Sequence, residues 1–346
     1  RRREGETVSD STSDSTSESR SESRSDTRYV TVEAPAKINL RLAVGPVRAD
    51  GYHEVLTVYF AVAICDRLRA SAADGLTVEV TGRQAELVPV DEGNLAVRAA
   101  RLLAERAGVP AGAHLRIDKR IPVAGGMAGG SADAAAALVA CDRLWNLNLG
   151  RDTLEELGAE LGSDVPFAVR GGVALGSGRG ERLETLSTGH TFDWVLVPAE
   201  GGLSTPAVYA ECDRIRAETG WRPVPPRVEA ELISALERGD APALGRALAN
   251  DLQPAALRLD PALEATLRTG RELGALGALV SGSGPTCAFL AADGAHAAAL
   301  CKALAEAGHV AIHATGPAPG PRVVDDGRYP DEAAWCAAFP AADSLT

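Results

Sequence analysis

The stretch Pro122-Val-Ala-Gly-Gly-Met-Ala-Gly-Gly-Ser-Ala-Asp133 joins a segment with strand-like alternation to a segment with helical periodicity. Glycines in such a connection let the backbone approach a ligand closely. Successive free N–H groups at the start of the following helix, with the helix dipole behind them, can bind an anion such as a phosphate. A tight turn that only packs the helix against the strand is the alternative. The order of strand, glycine loop and helix favours phosphate binding.

This loop differs from two common nucleotide-binding motifs. Gly125 and Gly130 have the spacing of a Walker P-loop, but Ser131 stands where that motif has its lysine. The stretch also contains no GxGxxG pattern, so it gives no support for a dinucleotide-binding fold.

A second informative segment, Lys37-Ile-Asn-Leu-Arg-Leu42, alternates polar and apolar residues. A period of two predicts a half-buried strand. The three apolar residues take the core face, so Lys37 and Asn39 share the opposite face, about 7 Å apart. Taken alone, Lys37 is better explained as an exposed cation on a strand.

Helices are predicted on both sides of the glycine loop. Asn94 has the position of a helix cap, and the helix that follows ends at Gly108. The helix after the loop runs over about residues 131–145, and another lies near residues 153–161. Asp164 then starts a short turn or helix with a proline near its first positions, where proline is tolerated.

The second half of the chain also mixes helices and strands. Regions rich in Pro and Gly at 198–206 and 219–227 predict loops near a domain junction. The predicted order after them is helix at 227–238, helix at 241–252, helix at 261–273, strand–loop–strand within 273–292, helix at 295–307, and a strand. The whole pattern predicts an α/β protein with two lobes.

The composition describes a globular protein with an acidic balance. The chain has 346 residues, with 35 Lys and Arg against 47 Asp and Glu, a formal net charge of −12. This length corresponds to about two domains of roughly 100–200 residues. The charge argues against nucleic acid or an anionic membrane as a partner, because phosphate neutralisation requires an excess of cations. A small phosphorylated ligand is still compatible, because one local cluster of residues can bind it.

Both ends of the chain are predicted to be tails, and the cysteines indicate a compartment. Residues 1–28 alternate Ser or Thr with charges of both signs, which predicts a disordered tail without a signal peptide. The Pro- and Gly-rich sequence after Gly316 predicts a C-terminal tail at 317–346. The six cysteines include no CxxC pair, so we expect reduced thiols in a cytoplasmic protein. The uncharged run at 273–292 has a Ser/Gly/Pro loop at its middle and predicts no membrane span.

Three segments resemble the three motifs of the GHMP kinases and occur in the same order. They are Ala34-Pro-Ala-Lys-Ile-Asn-Leu40, the glycine loop at 122–133, and Leu279-Val-Ser-Gly-Ser-Gly-Pro-Thr286. The resemblance covers about residues 29–316. It implies an α/β (α+β) two-lobed GHMP-kinase fold, with a ribosomal-S5-domain-2-like, ATP-binding lobe at 29–190 and a ferredoxin-like C-terminal lobe at 191–316.

Two further segments, Arg48-Ala-Asp-Gly-Tyr-His53 and Gly162-Ser-Asp-Val-Pro-Phe167, are similar to one branch of this family. That branch implies transfer of the ATP γ-phosphoryl group to the 2-hydroxyl of 4-(cytidine 5′-diphospho)-2-C-methyl-D-erythritol, in non-mevalonate isoprenoid precursor biosynthesis. ATP and Mg²⁺ are the implied cofactors, and no protein ligand of the metal is assigned. The implied partner is this small cytidine diphosphate, without nucleic acid or membrane, and the protein would be a monomer or homodimer.

The resemblance also implies roles for individual residues. Asp164 would be the catalytic base, Lys37 its partner, and Asn39 would lie beside them at the substrate. The chemistry agrees, because a positioned carboxylate can accept the proton of an alcohol while a cation holds it ionised and stabilises charge on the phosphate. For Asp164 the alternative is an ordinary residue at a helix start.

The remaining implied site residues fall into two groups. The ATP-binding group is Pro122, Val123, Ala124, Gly125, Gly126, Met127, Ala128, Gly129, Gly130, Ser131, Ala132 and Asn94. The substrate-binding group is Asn39, Tyr52, His53, Thr205, Tyr209, Gly282, Ser283 and Gly284. Tyr52 and Tyr209 would stack on the two faces of the cytosine, and His53 would hydrogen-bond it. The simpler alternatives are that Asn94 is only a helix cap and that both tyrosines are core or rim aromatics.

The glycine loop departs from the family pattern at three alanines. Ala124 and Ala128 replace glycines, and Ala132 replaces a second serine. Because alanine is disfavoured at positive φ, we expect negative φ at both loop alanines. The missing serine removes a hydroxyl that could contact Mg²⁺ or a phosphate.

Two other functions are alternatives. A different GHMP kinase would act on homoserine, mevalonate or a sugar, but these acceptors carry no base for the tyrosines to stack on. An RNA-binding module like that of ribosomal protein S5 is the alternative from another class. The net charge of −12 and the lack of a basic stripe argue against it.

Overall fold

A computed structural model describes residues 27–199 and 201–329 of the chain. The tail predicted at 1–28 lies outside the described residues, except for Thr27 and Arg28, which belong to the first strand. Residues 330–346 of the predicted C-terminal tail also lie outside them. Within the two described ranges, no helix is both long enough and apolar enough to cross a bilayer.

The strands of the described residues form two sheets. In chain order they are β1 (Thr27–Val47), β2 (His53–Ala72), β3 (Leu76–Gly82), β4 (Ala113–Lys119), β5 (Val173–Ser177), β6 (Arg182–Leu186), β7 (Phe192–Val197), β8 (Ala249–Asn250), β9 (Gly277–Val280), β10 (Cys287–Leu290), β11 (Ile312–Gly316) and β12 (Arg322–Tyr329). The larger sheet has the order β12-β1-β2-β4-β3, with β5 and β8 attached to β2 and β1, and β6 attached to β5. The smaller sheet has the order β11-β7-β10-β9.

The helices agree with most of the sequence predictions. They are α1 (Leu95–Ala107), α2 (Gly129–Leu144), α3 (Arg151–Leu161), α4 (Val165–Arg170), α5 (Thr205–Thr219), α6 (Ala230–Arg238), α7 (Ala241–Ala247), α8 (Gln253–Leu259), α9 (Ala262–Glu272) and α10 (Gly294–Glu306), with a short 3-10 turn at Ala85–Leu87. As predicted, Asn94 caps α1 and Gly108 ends it with a φ of 67°. The helix predicted at 241–252 is wrong beyond residue 247, because Leu248 is extended and leads into β8.

The long β1–β2 ribbon joins two parts of the larger sheet. The end of β2 pairs with β4, whereas its beginning pairs with β5. Between these regions the β1–β2 register shifts at Pro35/Ala36. A bulge of this kind bends the strands and increases their twist. This shift lies directly before Lys37 in β1. It therefore sets the direction of the face of β1 that carries Lys37 and Asn39.

β1 is buried on both faces near Lys37. Ile38 and Leu40 are buried as predicted, but Lys37 and Asn39 on the opposite face are only 6% and 3% exposed. The interpretation of Lys37 as an exposed cation is therefore wrong. The glycine loop covers this face, and the Lys37 N–H donates to the Met127 carbonyl at 3.2 Å.

Alanine takes the place of aromatic residues in much of the core. Residues 134–137 of α2 are almost completely buried, and this helix packs on α1, β1 and β2. The same apolar cluster includes Trp194 of β7 and Leu232 of α6, so both halves of the chain share one core. A second cluster lies along the smaller sheet and includes Val195, Val197 and Phe289.

β12 corrects the prediction for the C-terminal segment. Residues 322–329 were expected to belong to a tail, but they pair antiparallel with the edge of β1. The Tyr29 hydroxyl donates to Asp325 at 3.1 Å across this pair. Sequence reasoning missed the strand because Pro and Gly precede it and two aspartates lie within it.

A buried charge cluster connects the larger sheet to the glycine loop. The Lys119 ammonium, at the end of β4, contacts Asp66 of β2 and Asp133 of α2, the latter at 2.6 Å. Asp66 also accepts the backbone N–H groups of Arg120 and Ile121, which lead into the loop. Burial and the charge of Asp66 raise the pKa of Asp133. Burial opposes the charged amine, but the two carboxylates raise the pKa of Lys119.

We expect Lys119→Met to destabilise the fold by about 3–5 kcal/mol, because it leaves two buried carboxylates without their cation. Lys302→Met is the control, since Lys302 is exposed and lies 3.9 Å from Glu306 on one helix face. Its effect should stay within about 0.5 kcal/mol. Urea denaturation followed by circular dichroism measures both. Equal stability of the two variants would contradict the importance of this cluster.

Candidate active site

A cavity of about 860 Å³ brings most of the predicted site residues together. The predicted residues that line it are Lys37, Asn39, Tyr52, His53, Ala124, Gly125, Gly126, Ala128, Gly129, Gly130, Ser131, Asp164, Thr205, Tyr209, Gly282, Ser283 and Gly284. Both halves of the chain contribute to its wall. Four other predicted loop residues do not line it, namely Pro122, Val123, Met127 and Ala132.

Lys37 and Asp164 form an ion pair in this cavity. The Lys37 Nζ lies 3.3 Å from Asp164 Oδ2, and it donates to Asn39 Oδ1 at 2.8 Å. The Asn39 amide in turn donates to the Thr57 hydroxyl, which donates to the Arg41 carbonyl. This chain of hydrogen bonds holds the Lys37 ammonium in place from β1 and β2.

Asp164 stands at the cap position of α4, but its carboxylate makes no capping hydrogen bond. The side chain is 33% exposed and contacts Lys37 through Oδ2. Its Oδ1 accepts a hydrogen bond of 2.9 Å from the Tyr59 hydroxyl. The alternative of an ordinary helix-start residue therefore does not describe this side chain, which is held by two side chains from the larger sheet.

The glycine loop at 122–133 contains strained alanines. Ala124 has a φ of 55° and Ala128 a φ of 57°, so the expectation of negative φ at both is wrong. The left-handed region costs a non-glycine residue about 1–2 kcal/mol. The loop accepts this conformation because it is held on both sides. Ala128 is the first residue before α2, and Gly202 lies against Ala124.

The glycine loop at 122–133 contacts a second glycine-rich loop, which connects β9 to β10 at residues 281–286. The Ser281 hydroxyl donates to the Gly126 carbonyl at 3.3 Å, and the Thr286 N–H donates to the Gly125 carbonyl at 3.2 Å. Lys37 Nζ also lies 3.4 Å from the Gly126 carbonyl. The loop of the second half therefore closes over the loop of the first half beside the ion pair.

Aromatic and charged side chains form another part of the cavity wall. The rings of His53 and Tyr209 lie 5.1 Å apart with an angle of 33°. His53 Nε2 lies 3.0 Å from Asp213 Oδ1. Tyr52 is 56% exposed at the rim, and the Arg179 guanidinium lies over its ring at 5.1 Å.

Asn94 lines a smaller neighbouring cavity of about 290 Å³, together with Ser131 and Asp133. Both polar atoms of its side chain form hydrogen bonds within the protein. Oδ1 accepts from the Ala96 N–H, and Nδ2 donates to the Pro89 carbonyl. Asn94 is therefore a helix cap that also lies at a cavity wall.

Sequence reasoning missed several residues that line the larger cavity, among them Tyr59, Arg179 and Asp213. The period of two in β2 could have placed Tyr59 on the same face as Thr57. Arg179 lies in a Gly-Arg-Gly turn between β5 and β6, where no motif had been recognised. Asp213 follows Tyr209 by four residues, which places both on one face of α5.

Known proteins resemble this chain over most of its length. Family models described as the GHMP kinases N terminal domain and GHMP kinases C terminal match residues 94–172 and 232–310. A protein of Kineococcus radiotolerans named 4-diphosphocytidyl-2-C-methyl-D-erythritol kinase is 59% identical over 274 residues, covering 78% of this chain and 84% of that protein. One of the same name from Streptomyces avermitilis is 54% identical over 297 residues, covering 85% of this chain and 99% of that protein.

The chain belongs to the GHMP kinase family. It is a small-molecule kinase, and membership of this family implies the use of ATP. The family assignment and the GHMP-kinase fold predicted from the three sequence motifs are thereby confirmed.

Solved structures of GHMP kinases have the same fold. A crystal structure of 4-(cytidine 5′-diphospho)-2C-methyl-D-erythritol kinase is similar with a TM-score of 0.69 and 35% identity, covering 82% of this chain and 98% of that one. The homoserine kinase of Cytophaga hutchinsonii has a TM-score of 0.64 at 18% identity, covering 86% of this chain and 97% of its own. At this low identity the second match shows the fold alone.

We expect Gly126→Ala to disturb the contact between the two glycine-rich loops of this GHMP kinase. Gly126 has a φ of 74°, and an added Cβ would lie 2.5 Å from the Ser281 carbonyl oxygen and 2.8 Å from that of Gly284. The positive φ alone costs about 1–2 kcal/mol of stability. Gly130→Ala is the matched control, because no atom lies within 4 Å of its added Cβ. Urea denaturation should separate the two variants, and equal stability would contradict the contact.

Proposed function

We propose that this chain transfers the γ-phosphoryl group of ATP to the 2-hydroxyl of 4-(cytidine 5′-diphospho)-2-C-methyl-D-erythritol. The observation that carries the proposal is the Lys37–Asp164 pair, 3.3 Å apart in a cavity lined by the glycine loop and by Tyr209. The relatives at 59% and 54% identity bear the name of the kinase for this acceptor. The reaction belongs to the non-mevalonate route to isoprenoid precursors.

Asp164 is the general base in this proposal. As the acceptor oxygen forms its bond to the γ-phosphorus, the hydroxyl proton passes to the Asp164 carboxylate. The bond between the γ-phosphorus and the bridging oxygen breaks, and ADP leaves with that electron pair. Lys37 holds the carboxylate ionised and stabilises negative charge on the transferred group. Asn39 fixes the Lys37 ammonium through its 2.8 Å hydrogen bond.

The start of α2 is the proposed phosphate site. This 16-residue helix has Ala128 at its cap position and no side-chain capping bond. The first N–H groups of a helix lack partners within the helix, and they attract an anion. Gly129, Gly130 and Ser131 line the cavity at this point. The ATP phosphates are proposed to bind there, with Asn94 at the wall of the neighbouring cavity.

The residues present also fit a magnesium ion. Mg²⁺ is usually bound by one or two carboxylates together with substrate phosphates and water. Asp133 Oδ1 is buried without a hydrogen-bond partner among the described residues, and Asp133 shares the smaller cavity with Ser131. Asp133 and Ser131 would hold the ion, which would neutralise charge on the ATP phosphates. No group of three or more His, Cys, Asp or Glu residues forms a metal site within the described ranges.

The wall with Tyr52, His53 and Tyr209 is the proposed cytidine site. Aromatic side chains suit a nucleobase because every base has a π-face. His53 is fixed by Asp213 at 3.0 Å and would hydrogen-bond the base. Thr205 hydrogen-bonds Ser283 at 2.8 Å, and this contact supports a role for the second glycine-rich loop in the proposed cytidine site. Arg179 supplies positive charge for the diphosphate.

The cysteines bear on the compartment of the proposed enzyme. Five cysteines within the described ranges are free thiols. Burial is the main cause that raises the pKa of Cys65 to about 11, so this thiol stays protonated at neutral pH. Reduced thiols suit a cytoplasmic enzyme. We keep a monomer or homodimer as the expected assembly, with the small cytidine diphosphate as partner and with neither nucleic acid nor membrane.

An acceptor panel tests the proposed function. We expect ATP consumption with 4-(cytidine 5′-diphospho)-2-C-methyl-D-erythritol and at most background consumption with homoserine or mevalonate, because these acceptors cannot fill the aromatic wall. A coupled ADP assay measures the rate, and phosphorus NMR identifies the phosphorylated hydroxyl. Preferred turnover of homoserine or mevalonate would contradict the acceptor assignment.

Asp164→Asn removes the proton acceptor and preserves size. General-base catalysis contributes about 10²–10⁴-fold, so kcat should fall in that range with KM values near those of the wild type. Lys37→Ala should also lower kcat. Because the two side chains act as a pair, the double variant should lose much less than the product of the single losses. Steady-state kinetics of the wild type, the two single variants and the double variant measures these losses. A near-normal kcat for Asp164→Asn would exclude Asp164 as the base.

A further inference from the structure

Tyr59 is a buried side chain whose hydroxyl enters the active-site cavity. It lies on β2 between Asn39 of β1 and Ala174 of β5. The residue is 3% exposed and lines the cavity. Its hydroxyl donates to Asp164 Oδ1 at 2.9 Å. Since Lys37 contacts Oδ2, each carboxylate oxygen has its own partner from the larger sheet.

The surroundings leave this hydroxyl little freedom. The Tyr59 ring stacks on Phe167 of α4 with centroids 4.8 Å apart and an angle of 20°. Phe167 follows Asp164 by three residues, so the helix that carries the carboxylate also packs against the ring that holds it. Two glycines also lie close to the Tyr59 side chain: an added Cβ at Gly176 would lie 2.6 Å from Tyr59 Cε2, and one at Gly180 would overlap the hydroxyl. Two glycines therefore provide the space for this side chain.

Tyr59 acts as a hydrogen-bond donor and not as a base. Burial, followed by the negative charge of Asp164, raises the pKa of Tyr59 well above its ordinary value. The phenol therefore keeps its proton at every pH at which a kinase is assayed. A neutral donor to a carboxylate favours the ionised carboxylate.

We propose that Tyr59 is a positioning residue for phosphoryl transfer, which fixes the Asp164 carboxylate for proton acceptance by hydrogen-bonding its Oδ1. The inference rests on the proposed role of Asp164 as the base. Lys37 alone would hold the carboxylate at one oxygen and leave it free to rotate. With Tyr59 at the other oxygen, the plane of the carboxylate is defined. Pre-orientation of the reacting group within a fraction of an ångström lowers the barrier of such a step.

Tyr59→Phe tests the inference, because it preserves the ring and its stacking on Phe167 and removes only the donor. A hydrogen bond to a charged group is worth enough for a roughly 10- to 100-fold fall in kcat. The KM values for ATP and for the acceptor should stay within about twofold of the wild type. The acidic limb of the kcat–pH profile should move to higher pH, since the carboxylate loses a donor that favours its ionised form.

Tyr29→Phe is the matched control. Tyr29 is also buried, at 4% exposure, and its hydroxyl also donates to an aspartate, Asp325, at 3.1 Å. That pair joins β1 to β12 and does not line the active-site cavity. The control should keep the wild-type kcat and pH profile. An equal fall of kcat in both variants would overturn the inference, because the effect would then come from general destabilisation.

A double variant separates this inference from the proposed function. In an Asp164→Asn background, Tyr59→Phe should cause little further loss of kcat, because the group it positions is absent. If Asp164→Asn lowers kcat as expected while Tyr59→Phe has a normal kcat and an unshifted pH profile, the inference fails and the base assignment stands. If Asp164→Asn has a normal kcat, the base assignment fails and the inference fails with it.

Discussion

The active site depends on the burial of one ammonium group. Lys37 is 6% exposed, and a charge taken out of water must be paired or hydrogen-bonded. Its partners come from three parts of the chain: Asn39 on the same strand, Asp164 at the start of α4, and the Gly126 carbonyl of the glycine loop. The need to satisfy this one group therefore brings together the Asp164 carboxylate, the larger sheet and the glycine loop, which come from separate parts of the sequence.

The glycine loop contains backbone strain next to the start of α2. Two alanines with positive φ precede α2, and the helix then begins without a side-chain cap. Strained backbone persists where its surroundings determine it. Here the surroundings are the second glycine-rich loop, which approaches Gly126 so closely that no side chain fits, and the charge cluster of Lys119, Asp66 and Asp133 below. Both halves of the chain are therefore required to present the uncapped helix start to the cavity.

Much of this could be predicted from the sequence where the signal is local. The cap at Asn94, the end at Gly108 and the strand with Lys37 and Asn39 on one face follow from short-range patterns. Non-local pairing was harder to predict. β12 pairs with β1, from which it is separated by almost 300 residues. The residues of Arg322–Tyr329 do not indicate that this strand pairs with the edge of the larger sheet. The negative φ expected at Ala128 failed for the same reason, because contacts made elsewhere outweigh its intrinsic preference.

Net charge and local charge lead to different conclusions about the same protein. The chain carries −12 overall, yet its proposed ligands are anionic. The cavity nevertheless contains local positive charge, because the Lys37 ammonium and the Arg179 guanidinium line it. The N–H groups at the start of α2, which have no side-chain cap, add partial positive charge without a cationic residue. A polyanion with charges along its length would be repelled by the net negative charge, whereas a small phosphorylated ligand contacts only the cavity. The net charge that argues against nucleic acid is therefore compatible with the proposed kinase for a small cytidine diphosphate.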